Sequence, residues 1–339
     1  MLSSGLLLVI LAKSCAALPN CKAEKAINHI LKIKNAESYV YNDTHLLNIN
    51  NKGIKVLDEE VLAYYANNNR GQVEFVYLMH NNLNDVKGSP FEYFENVRNI
   101  NFGVNLLETI KQNYFDGVRK IDFLNFQSNL IHSIEPGSFN ELTQLEYVYL
   151  DDNCLTRIPD RLFYHTTRIR NIFLQQNRLE SLPSTFMQPS QRLYGLNGLM
   201  ALIASNNKLN PITINTDWIS DNGMVSLNID NTTISRIEFL GKLKRLREFY
   251  ASHNEITSFD VDTLTGNNEL AYVSLQANPL KTLNIVKVNE IFPKLAVLDI
   301  SNSALETNCR LLLEAYSQAS DKSLNLNINA KTLTGCLLI

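Results

Sequence analysis

The stretch Leu145-Glu-Tyr-Val-Tyr-Leu-Asp-Asp-Asn-Cys-Leu155 sets four apolar residues at fixed spacings around a single asparagine. The same spacing occurs ten times between residues 73 and 305. Consecutive occurrences lie 24, 24, 24, 24, 30, 25, 22, 24 and 25 residues apart. The pattern therefore organises most of the chain, and the residues at its asparagine position are Asn81, Asn105, Asn129, Asn153, Asn177, Asn207, Thr232, Asn254, Asn278 and Ser303.

Self-similarity at this period, with this arrangement of residues, is typical of leucine-rich repeats. Each repeat is expected to supply one short strand, whose apolar side chains point inward while the alternate ones point outward. One repeat cannot bury its apolar face alone, so neighbouring repeats must stack and share a core. The predicted fold class is α/β: a leucine-rich-repeat solenoid, curved like a horseshoe, of about ten to twelve repeats, with a parallel sheet on its concave face and a cap at each end.

The repeated asparagine has a predicted structural role. The chain turns sharply after each strand and leaves inward-facing main-chain groups without partners. An asparagine amide carries two donor hydrogens and an acceptor oxygen, so it can pair these groups in its own repeat and in the next one. Thr232 and Ser303 keep only a hydroxyl at this position. We therefore expect the seventh and tenth repeats to be held less firmly.

The two ends of the chain differ from the repeats. Leu6–Ala12 is an apolar run, and Cys15-Ala16-Ala17 supplies small residues for cleavage, which is typical of a secretory signal peptide. The run is too short to span a bilayer, and no other segment has 18 consecutive apolar residues, so no transmembrane segment is predicted. Leu47 and Leu326 fit a first and a last atypical strand. The predicted domains are the signal peptide at 1–17, an N-terminal cap with the first atypical repeat at 18–72, the repeats at 73–305, and a C-terminal cap at 306–339.

Charge and sequons agree with a secreted, extracellular protein. The net charge is −3, and no block of five like charges attracts nucleic acid or an anionic membrane. Asn42 and Asn231 each begin an N-x-[ST] sequon and are predicted glycosylation sites. An alternative is a cytosolic scaffold prenylated at the box-like end Cys336–Ile339, which a secretory signal would exclude.

Cleavage of the signal would leave four cysteines. Cys309 and Cys336 flank the last predicted turn, and a disulfide between them would stabilise the cap by roughly 3 kcal/mol. Cys154 lies about four strands, or roughly 19 Å, from the first strand. Since a disulfide needs Cα atoms within about 7 Å, Cys21 and Cys154 can pair only if residues 18–40 fold back along the solenoid. Otherwise Cys21 is a free or intermolecular thiol and Cys154 a buried repeat residue.

No catalytic, metal or cofactor site is predicted. The six histidines share no metal-ligand spacing, and no phosphate-binding loop or nucleophile elbow occurs. The adjacent Asp151 and Asp152 read as a solvated strand edge. His80 and His253 share the position just before the asparagine, but they lie seven repeats apart.

The outward strand positions carry the candidate binding surface. Eight of the 20 such positions in the ten repeats hold Phe or Tyr, against 9% aromatic residues over the chain, and two hold a charged residue, Glu248 and Asp299. Strand propensity explains part of this excess. A surface rich in aromatic residues and poor in charge is typical of protein interfaces. The predicted partner-binding residues, concentrated in the first five repeats, are Phe75, Tyr77, Met79, Phe123, Tyr147, Tyr149, Phe173 and Tyr250.

The repeats and the C-terminal segment Asn308-Cys-Arg-Leu-Leu-Leu-Glu-Ala-Tyr316, closing at Cys336, resemble the secreted leucine-rich-repeat immune proteins of insect haemolymph. The resemblance implies a solenoid that binds complement-like thioester proteins or pairs with another leucine-rich-repeat chain. In that family a following coiled coil joins two chains. No heptad segment follows Cys336, so a short form lacking this coiled coil is expected.

Two classes of function follow. The first is a secreted module of innate immunity that recognises or carries another extracellular protein through its concave face. The second is an extracellular adhesion, matrix or developmental signalling ectodomain without an immune role. Enzymatic activity is not expected in either class.

Overall fold

The computed structural model describes residues 44–67, 69–182, 199–209, 223–259, 266–281, 283, 285–308, 311, 314–315, 319 and 324–328. The chain forms two compact units, Met1–Thr156 and Arg157–Ile339. The predicted signal peptide at 1–17 lies outside the described residues, so that prediction stays open.

The first unit is built on five parallel strands that follow one another in sequence order. Each strand has three residues, and its central side chain is buried against the core. They are β1 (Leu46–Asn48), β2 (Phe75–Tyr77), β3 (Asn99–Asn101), β4 (Phe123–Asn125) and β5 (Tyr147–Tyr149). A strand therefore lies where the sequence predicted the first, atypical one.

The second unit continues the same pattern with seven parallel strands, again in sequence order. They are β6 (Asn171–Phe173), β7 (Ala201–Ile203), β8 (Ser226–Asn228), β9 (Glu248–Tyr250), β10 (Tyr272–Ser274), β11 (Val297–Asp299) and β12 (Asn325–Asn327). Parallel strands one repeat apart, joined by segments whose apolar side chains are buried in the same core, form a leucine-rich-repeat solenoid. The predicted fold class is thus confirmed.

Short elements lie on the side opposite the sheet. In the first unit, α1 (Glu59–Ala66) begins where the Asp58 carboxylate accepts the main-chain N–H of Val61 at 2.9 Å, and it ends at Asn67, whose φ is 44°. These are favourable caps, because each satisfies main-chain groups that the helix leaves unpaired. The second unit has α2 (Ile285–Ile291). The 3₁₀ turns are Arg70–Gln72, Gln112–Phe115, Glu238–Lys242 and Ala304–Thr307. Two pairs of two-residue strands are also parallel: Val56–Leu57 pairs with Asp85–Val86, and Thr109–Ile110 pairs with Ser133–Ile134.

Each repeat uses its asparagine to join itself to the preceding repeat. The Asn129 amide nitrogen donates to the main-chain oxygens of Phe126 in its own repeat and Phe102 in the preceding one, both at 3.0 Å. Its amide oxygen accepts the N–H of Leu107, also in the preceding repeat, at 3.1 Å. The predicted pairing role is correct, but the predicted direction is wrong. The amide reaches backwards because the strand ends of the earlier repeat lie beneath it.

The residue before this asparagine takes a left-handed main-chain conformation in every repeat described. Its φ is 55° at His80 and 54° at His253, which explains why these two histidines share a position. The side chain there varies, from asparagine at Asn206 to alanine at Ala277 and valine at Val104. The sharp turn after each strand is therefore imposed by stacking of the repeats rather than by a glycine.

Phenylalanine rings fill the core of the first unit between the sheet and the opposite side. Phe102 and Phe126, from consecutive repeats, stack with ring centroids 4.9 Å apart and planes 6° from parallel. Phe115 meets Phe126 edge-on at 6.2 Å. Aromatic contacts of this kind add to the free energy of burial. They add side-chain contacts between consecutive repeats to the bonds of the asparagines.

Candidate functional site

The outward side chains of β1 to β5 form one continuous surface, which we call the outer sheet face of the first unit. Strand register places Phe75, Asn99, Phe123 and Tyr147 in one row, and Tyr77, Asn101, Asn125 and Tyr149 in the next. Leu46 and Asn48 begin the two rows. The strands themselves present no charged side chain on this face. It is the surface that the sequence assigned to the concave side.

The aromatic residues of this face are only partly covered. Phe75 is 36% exposed, and Tyr77, Phe123, Tyr147 and Tyr149 are half-buried. The Phe123 and Tyr149 rings lie 5.3 Å apart across neighbouring strands. Burial, and then the nearby charge of Asp151, raises the pKa of Tyr149 above its ordinary value. The structure thus brings together five of the eight predicted binding residues on one surface.

Met79 lies beside this surface rather than on a strand. It follows β2 by two residues and is half-buried, and its main-chain N–H donates to the Asn50 amide oxygen at 2.6 Å. Its side chain can therefore contribute apolar area at the edge of the outer sheet face.

Several asparagines of this face have a structural role that the sequence analysis did not assign. The amide oxygen of Asn101 accepts the N–H of Gly103 at 2.9 Å, and that of Asn125 accepts the N–H of Gln127 at 2.7 Å. Each bond stabilises the turn that follows its strand. Asn125 is only 9% exposed, so its predicted outward position is not an accessible one. Strands such as Asn99–Asn101 carry asparagine at both outward positions. This sequence pattern could have indicated the structural role.

The remaining two predicted binding residues, Phe173 and Tyr250, belong to the second unit. Tyr250 lies 5.0 Å from the Tyr272 ring, and burial raises its pKa, with Glu248 adding to the effect. Ser274, another predicted outward residue, is buried at 5% exposure, and its hydroxyl lies 2.7 Å from that of Ser252. The outward positions of this unit hold three aromatic residues among fourteen, so aromatic residues are sparser here than in the first unit.

A row of charged residues, Glu74, Arg98, Asp122 and Glu146, borders the outer sheet face of the first unit, one residue before each of the strands β2 to β5. Arg98 donates to one Asp122 carboxylate oxygen from Nε at 2.9 Å and from Nη2 at 2.6 Å. This pairing, together with the charges of Glu74 and Glu146, raises the pKa of Arg98. Three carboxylates therefore share this edge with one guanidinium, and Asp122 binds it directly. Sequence reasoning missed the row because it considered only the strand positions.

The predicted modification sites are only partly described. Asn231 is exposed, and its amide nitrogen donates to the Asn206 amide oxygen at 2.9 Å. Asn42, Cys309 and Cys336 lie outside the described residues. Cys154 is buried, as expected, and is disulfide-bonded, although the part of the chain that the structure describes contains no other cysteine.

Within the described ranges, no cluster of three or more His, Cys, Asp or Glu residues is arranged to hold a metal ion. No helix in these ranges has the length and apolar character needed to cross a membrane. Neither these residues nor the comparisons below point to catalysis.

The chain matches the family model described as leucine rich repeat over residues 72–131 and 124–179. A relative from Drosophila pseudoobscura pseudoobscura, acidic leucine-rich nuclear phosphoprotein 32 family member A, is 35% identical over 78 residues. That match covers 23% of this chain and 29% of the relative, so the chain spans well under two thirds of the relative's length.

Solved structures of leucine-rich-repeat domains share the fold. The leucine-rich repeat domain of APL1B is 17% identical, with a TM-score of 0.60, over 84% of this chain and 74% of that one. The Toll–Spätzle complex, described as a hub in Drosophila development and innate immunity, is 17% identical, with a TM-score of 0.55. Its match covers 84% of this chain and 45% of that one. At these identities the likeness is one of fold.

Proposed function

We propose that this protein is a secreted leucine-rich-repeat module of innate immunity that recognises or carries another extracellular protein through the outer sheet face of its first unit. The observation that carries the proposal is a surface of five partly exposed aromatic side chains on strands whose outward positions hold no charged residue. Leucine-rich-repeat domains are typical protein-binding modules, and the repeats of this chain fit that class.

Covering this surface with a partner would be favourable in free energy. Aromatic side chains such as Phe75 and Tyr149 bury large areas on binding and lose few degrees of freedom. A polar border, here provided by the charged row, excludes water from such a centre and orients the partner. The second unit, with fewer aromatic residues and the charged Glu248 and Asp299 on its strands, is less suited to this role.

For the partner we propose a complement-like thioester protein or another leucine-rich-repeat chain. This follows the resemblance of the repeats and the segment Asn308–Tyr316 to insect haemolymph proteins, and the fold shared with the APL1B domain. An adhesion or developmental signalling ectodomain is the second candidate, supported by the fold shared with the Toll–Spätzle complex, a molecular hub in Drosophila development and innate immunity.

The decisive experiment measures binding of the full secreted chain to a purified thioester protein and to a purified leucine-rich-repeat chain. Tyr147→Ala and Tyr149→Ala should each weaken binding about 30-fold, because truncating a buried interface aromatic commonly costs 2 kcal/mol or more. Tyr272→Ala, on the second unit, is the matched control and should weaken it less. Normal binding by variants with unchanged melting temperatures would refute the proposed face.

The proposed secretion and glycosylation need a separate measurement. Expression of the whole chain in insect cells should place it in the medium, and glycosidase treatment should lower its mass. Asn231→Gln should remove one glycan, since Asn231 is exposed and its sequon residue Thr233 is also exposed. Retention of the untreated mass in the cytosolic fraction would argue instead for an intracellular scaffold.

A further inference from the structure

The segment that precedes β9 carries a dense group of cations. Four of the six residues from Lys242 to Arg247 are Lys or Arg, and the other two are Leu243 and Leu246. Both leucines are buried, whereas the four cations are exposed. The repeat imposes this division, because its apolar residues fill the shared core and the residues between them are left in solvent. The fold therefore displays these cations together on the surface of the second unit.

Stacking of the repeats adds a fifth cation. Arg245, Glu269 and Lys294 each lie three residues before the first residue of their strand, in three consecutive repeats. Lys294 Nζ donates to one carboxylate oxygen of Glu269, and Arg247 Nη2 lies 3.6 Å from the other. Glu269 is thus a carboxylate that two of the cations share. We call the five cations the basic cluster, and its members are Lys242, Lys244, Arg245, Arg247 and Lys294.

Two members of the basic cluster are not committed to a carboxylate. Lys244 and Arg245 form no ion pair within the residues that the structure describes. An anion from outside can therefore bind them without first displacing a carboxylate of this part of the chain. The Arg245 side chain extends over the preceding repeat, where a Cβ added to Gly223 would lie 3.5 Å from its Nη1. From Gly223 to Lys294 the cluster crosses four repeats, or about 14 Å at the ordinary strand spacing.

The surroundings of the cluster favour a ligand that is recognised by its charge. Because Leu243 and Leu246 are buried, the segment from Lys242 to Arg247 has no exposed apolar side chain to enter a bilayer interface or to form the core of a protein interface. It also has no aromatic ring on which a nucleic-acid base could stack. A linear sulfated polysaccharide presents repeated anionic groups and needs neither kind of contact. Short segments rich in Lys and Arg are typical of heparin-binding patches, and a guanidinium can donate two parallel hydrogen bonds to an oxyanion.

We propose that the basic cluster binds a sulfated polysaccharide chain. Lys244 and Arg245 contribute charges that no carboxylate of the described residues pairs, and Arg247 and Lys294 contribute donors beside Glu269. The span of about 14 Å lets several sulfate groups of one chain be bound at once. This site lies on the second unit, so it is distinct from the outer sheet face of the first unit and goes beyond the proposed function. It shares with that function only the extracellular location, where sulfated polysaccharides occur.

The first test titrates the full secreted chain with a heparin octasaccharide of defined length. Binding should be saturable at low salt and should weaken steeply as salt is added, since exposed charges act through a screened field. The same octasaccharide without its sulfate groups should not bind. Failure of the sulfated form to bind, or equal binding of the desulfated form, would overturn the proposal. Tighter binding of vesicles of equal parts phosphatidylserine and phosphatidylcholine, of single-stranded DNA or of polyglutamate would also overturn it, and would assign the cluster to a membrane, a nucleic acid or an acidic protein.

The second test compares two double variants of equal net charge. Lys244→Gln with Arg245→Gln should weaken octasaccharide binding about tenfold, because two exposed ion pairs with sulfate groups are lost. Lys208→Gln with Lys281→Gln is the matched control, since both lysines are exposed in the same unit but follow their strands rather than precede them. The control should lose less than about twofold, because its charges act on the cluster only through the screened field. Neither change should lower the melting temperature, and equal losses of binding in the two double variants would refute the site.

Glu269→Gln should act in the opposite direction. It removes the carboxylate that Arg247 and Lys294 share, so it should strengthen octasaccharide binding about threefold at low salt. Unchanged or weaker binding by this variant would contradict the proposed site.

Binding of the partner protein separates this inference from the proposed function. If Tyr149→Ala weakens partner binding as described but the octasaccharide does not bind, the polysaccharide inference fails and the proposed function stands. If the octasaccharide binds through the basic cluster but no partner protein binds, the proposed function fails and the polysaccharide inference stands.

Discussion

The side-chain amide of Asn105 donates a hydrogen bond of 2.9 Å to the main-chain oxygen of Leu78, which lies 27 residues earlier in the preceding repeat. The Asn105 amide oxygen in turn accepts the N–H of Leu83 at 3.1 Å. Both bonds are buried, so neither atom of the preceding repeat can turn to water instead. Each repeat is thereby fixed in position by the one that follows it.

Removing the side-chain amide of a repeat asparagine should lower the free energy of unfolding more than removing the hydroxyl that stands at the same position in the tenth repeat. Asn129→Ala leaves the buried N–H of Leu107 without its partner and removes one of the two asparagine bonds that the main-chain oxygens of Phe102 and Phe126 each accept, so it should lower the free energy of unfolding by about 1–3 kcal/mol. Asn177→Ala should fall in the same range. Ser303→Ala should cost little, since the Ser303 hydroxyl is buried without a hydrogen-bond partner in the described residues. Denaturant unfolding measures the difference, and equal losses at all three positions would contradict the assigned role.

The structure modifies the expectation that the seventh repeat, which has Thr232 at the asparagine position, is held less firmly. Its hydroxyl donates to the Ile229 main-chain oxygen at 2.7 Å and lies 3.1 Å from the Asn254 amide oxygen. Asn254 also accepts the main-chain N–H groups of Thr232 and Ile234. The amide of the following repeat thus supports this threonine, whereas Ser303 has no such bond.

The repeat pattern was sufficient to predict the buried side of each strand. Val148 and Leu150 are fully buried, as their spacing requires, because a period of two along a strand fixes which side chains point inward. It could not predict the backward direction of the asparagine bonds, which depends on how one repeat sits on another. Asn125 and Ser274 occupy outward strand positions and are nevertheless buried, for a related reason. A short side chain beside larger ones is covered by its neighbours, and alternation alone does not contain that information.

The residue before each asparagine has a left-handed main-chain conformation. At such a position a change from alanine to glycine should affect stability in the opposite direction from the same change at an ordinary position. Ala277 has φ of 55°, a conformation that a Cβ disfavours by about 1 kcal/mol and that glycine adopts freely. Ala277→Gly should therefore leave the stability unchanged or raise it by up to about 1 kcal/mol.

Ala296 is the matched control, because it is exposed and its φ is not positive. Ala296→Gly should lower the stability by roughly 0.5–1 kcal/mol, since glycine loses more conformational entropy on folding. Thermal melts of both variants suffice. Equal destabilisation by both substitutions would mean that the strain at Ala277 is negligible.

Stability should fall at alkaline pH through tyrosines of the first unit. Burial raises the pKa of Tyr149, with Asp151 adding to it, and burial raises the pKa of Tyr114 far more. A raised pKa means that the folded state favours the neutral phenol. This contribution is complete below the ordinary tyrosine pKa of about 10 and is lost as the pH rises through the folded-state value.

Unfolding measured between about pH 8 and pH 11.5 should therefore show a decline that begins near pH 10. Tyr149→Phe should reduce the decline slightly, because the Tyr149 ring is half-buried, and Tyr114→Phe should reduce it more. A decline identical in both variants and in the unaltered protein would assign the alkaline effect to other groups.

The disulfide pairing of the cysteines can be predicted from the sequence and the structure together. Cys154 is disulfide-bonded and buried, which excludes the reading of this residue as an unpaired thiol. If Cys309 and Cys336 close the C-terminal cap as predicted, and Cys15 is removed with the signal peptide, Cys21 is the remaining partner for Cys154. That pairing requires the segment after residue 18 to reach the fourth repeat, since a disulfide needs Cα atoms within about 7 Å.

Peptide mapping of the unreduced secreted protein should find Cys309 with Cys336 and Cys21 with Cys154. Cys21→Ser should then free one thiol at Cys154 and lower the melting temperature, whereas Cys309→Ser should free Cys336 instead. Recovery of a peptide that joins Cys154 to Cys309 would refute the predicted cap and leave Cys21 as the free or intermolecular thiol.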